Sequence, residues 1–130
     1  LDASLAIIDK RRVAANQVEE MRIVGDVEGC AAVIVDDMID TAGTACKAAE
    51  AVIEAGARRV IACCAHGVLS GDAIDKISAS VLDRLITTDT IAPSERVLAE
   101  EKIQVVSVSG LIAEAIKRTH EEESISTLFD

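Results

Sequence analysis

Aromatic residues are all but missing from this chain: there is no Trp and no Tyr, and the one Phe is Phe129. Stacking platforms for unpaired bases and aromatic cages for quaternary ammonium groups are therefore excluded within it. Positive charge is also scarce. Thirteen Lys and Arg stand against 23 Asp and Glu, a formal net charge of −10, which argues against an electrostatic grip on nucleic acid or on an anionic membrane. No apolar run approaches the ~20 residues of a membrane span, and no signal peptide is visible. The four cysteines, Cys30, Cys46, Cys63 and Cys64, include no C-x-x-C pair, and the adjacent Cys63 and Cys64 cannot act as an ordinary staple. They read as small reduced core residues. Low-complexity linkers and repeats are missing too. A soluble cytosolic domain with neither nucleic-acid nor membrane partners is the expectation.

What is present suits one packed domain. Half of the 130 residues are apolar and 28% are charged. A chain of this length buries roughly two-thirds of its unfolded surface. The first residue is Leu1, and an apolar run begins at Leu5, as if a strand had been cut into. The chain therefore reads as a piece of something longer.

Apolar runs and helical periodicity alternate along most of it. Residues 3–8 form a short apolar run, and residues 22–27 alternate loosely, bounded by Gly25 and Gly29. Residues 31–35 form a continuous apolar run, the mark of a strand buried on both faces, which stops at Asp36-Asp37. From Thr44 a helical pattern runs through Ala45, Ala48, Ala49, Val52 and Ile53 and closes at Gly56. The cycle repeats with a strand over 59–65, a loop over 66–71, a helix over 72–80 and a strand over 85–88. A loop around Pro93 and a charged stretch at 95–102 lead to a strand over 103–108. A helix follows over 111–120, with Ile112, Ala115, Ile116 and Thr119 on one face. This alternation predicts an α/β fold, a parallel sheet with helices on both faces.

The chemistry concentrates in Ala32-Val33-Ile34-Val35-Asp36-Asp37-Met38-Ile39-Asp40-Thr41-Ala42-Gly43-Thr44. A buried strand reaches its carboxyl end, where open α/β sheets place their ligands, and two carboxylates stand at the tip. A loop of small residues follows, through which backbone N–H groups can approach a ligand closely. It opens a helix whose amino end favours an anion. One end suits a phosphate, the other sugar hydroxyls or a metal, so a sugar phosphate fits both. The plainer alternative is a strand ending in solvated acids before an Asp- or Thr-capped helix. Neither a Walker phosphate loop nor a Rossmann fingerprint is present.

This stretch resembles the phosphoribosyl-pyrophosphate motif of the type I phosphoribosyltransferase fold. Other segments are similar, in order, to ribose-phosphate pyrophosphokinases: Leu5-Ala6-Ile7-Ile8-Asp9-Lys10-Arg11-Arg12, Val24-Gly25-Asp26-Val27 and His66-Gly67-Val68-Leu69-Ser70-Gly71. So are the tail segments Ala113-Glu114-Ala115-Ile116-Lys117-Arg118-Thr119-His120 and Glu123-Ser124-Ile125-Ser126-Thr127-Leu128-Phe129. The resemblance implies a type I phosphoribosyltransferase-like domain, incomplete at its N-terminal end, with residues 1–130 its C-terminal part and the N-terminal half of the enzyme absent. The implied reaction moves the β,γ-pyrophosphoryl group of ATP to the 1-hydroxyl of ribose 5-phosphate, giving phosphoribosyl pyrophosphate and AMP, with magnesium as cofactor. Lys10 and Arg12 match the family's catalytic loop. Asp36 and Asp37 match its ribose-binding acids, and Asp40, Thr41, Ala42, Gly43 and Thr44 its 5-phosphate loop, with Arg12 also on the substrate. Ser124, Ser126 and Phe129 match a tail segment that helps form a regulatory phosphate or ADP site. The metal ligands are expected in the absent part, as are the ATP-binding loops, so the fragment alone is expected to be inactive. A homo-oligomer, a hexamer assembled from dimers, is also implied.

Two other readings use the same loop: a phosphoribosyltransferase, and a catalytically dead regulatory subunit. The first expects an aromatic base-recognition hood, which is not seen. The second fits loss of the basic residues, yet Lys10 and Arg12 are present. His66 reads as a hydrogen-bonded loop histidine, and His120 and the acids at 121–123 as solvated surface.

Overall fold

The computed structural model describes residues 3–11 and 20–128. Strands β1 (Ile7–Arg11) and β2 (Glu20–Val24) form an antiparallel hairpin, with Ile7 opposite Val24 and Arg11 opposite Glu20. Then come β3 (Ala31–Ile39), α1 (Gly43–Glu54), β4 (Arg59–Gly67), α2 (Ala73–Ala79) and β5 (Arg84–Thr88). The chain continues through α3 (Glu95–Ala99), β6 (Ile103–Val106), α4 (Ser109–His120) and a 3₁₀ turn at Ser126–Leu128. Strands β3 to β6 make one parallel sheet in the order β3-β4-β5-β6, so each strand–helix unit returns beside its predecessor. The α/β class with a parallel sheet is as the alternation predicts. The two leading strands instead pair with each other outside that sheet.

The core lies between the sheet and its helices. Val60, Leu85, Ile77 and Leu82 are the largest fully buried side chains. Helix α1 buries Ala45, Ala48, Ala49 and Val52, a spacing that keeps one face inward, and small alanines let it lie close to the sheet. Its last turn ends at Gly56 (φ +97), and the Gly29 amide reaches back to the Gly56 carbonyl at 2.8 Å.

Several expectations are corrected. The apolar run in β3 is not buried on both faces: Val33 is 59% and Val35 78% exposed. The strand is an edge of the four-stranded sheet, paired among the described residues with β4 alone. Nor does it stop at the two acids. Pairing with β4 carries it to Ile39, opposite Gly67, so His66 and Gly67 belong to a strand and not to a loop. The charged stretch after Pro93 contains the short helix α3, whose amino end is capped by the Ser94 hydroxyl accepting from the Val97 amide at 3.3 Å. Helix α4 buries no residue, leaving Ile112 and Ile116 exposed. None of the cysteines is in a disulfide; Cys46 and Cys64 are core residues, Cys63 is half-buried, and Cys30 is exposed.

Candidate functional site

The carboxyl end of β3 and the start of α1 carry Asp36, Asp37, Asp40, Thr41, Ala42, Gly43 and Thr44 in one short stretch of chain, exposed or half-buried apart from Ala42. Asp36 stands opposite Cys64 and Met38 opposite His66, so both acids sit on the strand itself, one turn of backbone before the loop. The Asp37 amide donates to Asp36 Oδ1 at 3.0 Å, which fixes the first carboxylate against its own strand. Ile39, 4% exposed, anchors the end of the strand in the core.

Between Ile39 and α1 the chain turns sharply, and the residue that makes the turn is Ala42. It has φ 60 and ψ −4, a left-handed conformation that alanine adopts at a cost. Its carbonyl accepts the first helical bond, from Cys46 N at 3.0 Å. Gly43 next to it is already helical, and a Cβ built there would meet nothing within 4 Å. Open space lies over the first turn of the helix.

That first turn has no side-chain cap and no acidic residue. The capped-helix alternative raised from the sequence does not describe it. The leading amides of an α-helix lack intrahelical acceptors, and with the helix dipole they make a ready anion site.

A second loop holds this one in place. After β4, the amides of Val68 and Leu69 donate to the Ile39 carbonyl at 3.0 and 3.2 Å, and the Ser70 amide to the Asp40 carbonyl at 3.1 Å. The Ser70 hydroxyl donates to Asp40 Oδ1 at 2.5 Å. From α2, Lys76 Nζ approaches the Thr41 carbonyl at 3.4 Å while paired with Asp72 at 2.7 Å. The short contact holds the Asp72 carboxyl below its usual range. Reading the sequence missed Ser70 and Lys76 as residues of this region. The signal was present in the Ser70-Gly71 turn beside the second strand, but only the parallel pairing of β3 with β4 makes the two loops neighbours.

Beside the loop, a cavity of about 800 Å³ runs between the β1–β2 hairpin and the β3–α1 unit; Ile8, Val35, Asp36 and Thr44 are among its lining. Lys10 lies in β1, opposite Met21. Arg12 and Phe129 fall outside the described residues.

The tail residues Ser124 and Ser126 lie together, their hydroxyls 2.6 Å apart. Arg118 of α4 holds the segment, donating to the Ser124 carbonyl at 3.3 Å and to the Thr127 hydroxyl, while paired with Glu114 at 2.8 Å. His66 is a hydrogen-bonded histidine, its Nδ1 2.8 Å from the Thr90 hydroxyl. Burial pushes the Cys46 and Cys63 thiols up, which suits inert packing residues. Among the described residues no group of three or more His, Cys, Asp or Glu side chains is placed to hold a metal ion, and no helix is long and apolar enough to cross a membrane.

A family model described as the phosphoribosyl synthetase-associated domain matches residues 5–130. The ribose-phosphate pyrophosphokinase of Vibrio parahaemolyticus is 54% identical over 129 residues, covering 99% of this chain and 41% of that protein. The Neisseria meningitidis serogroup A protein of the same name is 51% identical over 130 residues, covering 100% of this chain and 40% of its own length. The chain thus spans about two-fifths of the length of the curated relatives it matches. Among solved structures, the phosphoribosylpyrophosphate synthetase from Mycobacterium smegmatis superposes with a TM-score of 0.80 at 34% identity, covering 90% of this chain and 37% of that one.

Proposed function

The chain belongs to the phosphoribosyl synthetase-associated domain family, and we propose that it is the carboxy-terminal part of a ribose-phosphate pyrophosphokinase. The enzyme transfers the β,γ-pyrophosphoryl group of ATP to ribose 5-phosphate. The observation that carries this reading is the uncapped amino end of α1, opened by Thr41-Ala42-Gly43-Thr44 directly after a strand bearing Asp36 and Asp37.

In this reading the 5-phosphate sits on the amides at the start of α1, with the Thr41 and Thr44 hydroxyls beside it. Open space above Gly43 leaves room for it. Asp36 and Asp37 accept from ribose hydroxyls and fix the ring, which presents the 1-hydroxyl. The 1-hydroxyl oxygen attacks the β-phosphorus of ATP and gives up its proton to solvent, the bond from the β-phosphorus to the α,β-bridging oxygen breaks, and AMP leaves with the bridging oxygen. Lys10 and Arg12 meet the charge that builds around the attacked phosphorus. Catalysis of this kind is mostly positioning and charge stabilisation.

Magnesium, when bound, would neutralise charge on the triphosphate. The described residues supply no ligand cluster for it, and its ligands are assigned to the part of the enzyme outside this chain. The remaining portion also brings the ATP-binding loops, so this chain alone turns over no ATP. The outer edge of β3, paired among the described residues with β4 alone, and the exposed Val33 and Val35 suit a covering element from that portion. Ser124, Ser126 and Phe129 are assigned to a regulatory phosphate or ADP site, with Arg118 as an added cation beside the two serines. The assembled enzyme is a cytoplasmic homo-oligomer.

The test is direct. The complete polypeptide, given ATP, magnesium and ribose 5-phosphate, forms AMP and phosphoribosyl pyrophosphate in equal amounts. AMP formation that does not depend on ribose 5-phosphate, or its absence, refutes the reading.

A further inference from the structure

The loop after β4 and helix α2 supply contacts to the 5-phosphate loop that the sequence did not announce. Resting on the function proposed above, we propose that Ser70 and Lys76 are positioning residues for ribose 5-phosphate: they touch no substrate, but fix the 5-phosphate loop in its binding shape.

Three observations converge on this. Ser70 holds Asp40 twice, its amide on the Asp40 carbonyl at 3.1 Å and its hydroxyl on Asp40 Oδ1 at 2.5 Å. Lys76 lies 3.4 Å from the next carbonyl, that of Thr41. The residue after Thr41 is the left-handed Ala42, a conformation that persists only where its neighbours over-determine it. Ser70 and Lys76 fasten the two residues immediately ahead of it. The opposing loop is itself shaped for the task, since Leu69, just before Ser70, is also left-handed (φ 50) and is anchored by burial at 8% exposure.

The consequence is a division of labour. Backbone amides bind the phosphate, and their direction depends on the path of residues 40–42. Lys76 adds a positive charge beside the loop, and Asp72, 2.7 Å away, keeps it from reaching outward. Losing either contact lets the loop sample shapes in which the amides diverge, so ribose 5-phosphate binds more weakly. The chemical step, which takes place at the other end of the sugar, proceeds as before once substrate is bound.

The experiment uses the complete synthetase. Ser70→Ala and Lys76→Met raise KM for ribose 5-phosphate roughly tenfold each, the scale of one lost charge-assisted hydrogen bond. In both, kcat at saturation and KM for ATP stay within about twofold of the parent. Ser70→Thr, which keeps the hydroxyl, restores the parent KM. Gly43→Val is run alongside as a control on the site itself. Should Gly43→Val leave ribose 5-phosphate untouched, the assignment of the loop falls, and the proposed function with it. Should Gly43→Val weaken the sugar phosphate while Ser70→Ala and Lys76→Met do not, only the positioning role is overturned. Equal loss of kcat for every substrate also overturns it, because that pattern marks general damage to the fold.

Discussion

Gly67 and Thr87 meet so closely at the carboxyl end of the sheet that a Cβ on Gly67 would stand 2.6 Å from Thr87 Oγ1. Thr87 has little room to yield. It is 3% exposed, and its hydroxyl lies 3.4 Å from the Cys64 thiol. Glycine is required here for space, not for backbone freedom, since Gly67 has no positive φ. Gly67→Ala therefore destabilises by roughly 1–3 kcal/mol, the usual cost of overpacking. The cost is smaller in a Thr87→Ala background, where the hydroxyl and methyl are gone. Denaturant titration of the four proteins of this cycle measures the coupling; additive effects refute the contact.

Ala42 offers a second test, of strain. Its φ of 60 and 4% exposure combine an unfavourable backbone with a tight space. Ala42→Val adds a β-branched side chain to both problems and costs about 2–4 kcal/mol. Ala42→Gly removes the conformational penalty, so its stability stays within about 1 kcal/mol of the parent. Thermal unfolding of both variants measures this, and a well-tolerated valine would mean that the turn is built differently.

These two positions mark what the sequence does and does not disclose. Alternating apolar runs were enough for the parallel sheet, because a buried strand and a one-faced helix each leave a periodic signature. The thirteen residues from Ala32 to Thr44 placed the loop, since strand end, acids and helix start are all local. Which residue takes the left-handed turn was not legible: glycine is the natural guess, yet Gly43 is helical and Ala42 bends. That choice is set by the packing of Ala42 under the loop. The contact of Ser70 with Asp40 spans 30 residues and exists only because β3 pairs with β4. The exposed side of β3 was misread for a related reason: an apolar run reports what a strand is suited to, not which neighbour lies beside it.

The edge of β3 gives a third prediction. Val35 is 78% exposed in this chain. If another part of the enzyme covers it, Val35→Lys is nearly neutral in the 130-residue chain but destabilises the complete polypeptide by about 2 kcal/mol or more. Parallel melts of the two forms decide this. Equal, small effects in both would leave the edge facing water in the enzyme as well.

Asp89 carries a prediction about pH. Hydrogen bonds from the Ser107 hydroxyl and the Val108 amide hold its carboxyl below the ordinary 3.8. The Val108 amide donates to Asp89 Oδ1 at 2.9 Å, while the Asp89 amide donates to the Val106 carbonyl at 3.1 Å, so this residue ties the end of β5 to the start of α4. A carboxyl depressed in the folded state contributes stability that is complete above its unfolded value and lost as pH falls through its folded value. The contribution is therefore full at neutral pH, begins to fall near pH 4 and is gone only below the depressed folded value. Hydrogen exchange at Val108 accelerates in that window before the β3–β4 pairing is affected. Asp89→Asn, which keeps an acceptor but cannot titrate there, removes the pH dependence at that amide.

The basic triplet at the start of the chain separates a catalyst from a binder. Lys10 and Arg11 lie in β1, whereas Arg12 falls outside the described residues; in sequence Lys10 and Arg12 are two positions apart, the spacing that would place them on one side were the segment extended. Two cations acting together on a polyphosphate matter most where charge increases during reaction, so their effect belongs to the transition state more than to ground-state binding. Removing one preorganised donor of this kind costs about a hundred- to a thousandfold in rate, roughly 2.7–4 kcal/mol. In the complete enzyme, Lys10→Ala and Arg12→Ala each lower kcat by that factor with modest change in KM, and Arg11→Ala does far less. The three are measured at saturating ATP, ribose 5-phosphate and magnesium. Should Arg11→Ala be as damaging as its neighbours, or should none of the three reduce kcat tenfold, the triplet is a solvated turn and the charge at the β-phosphorus is met by other groups.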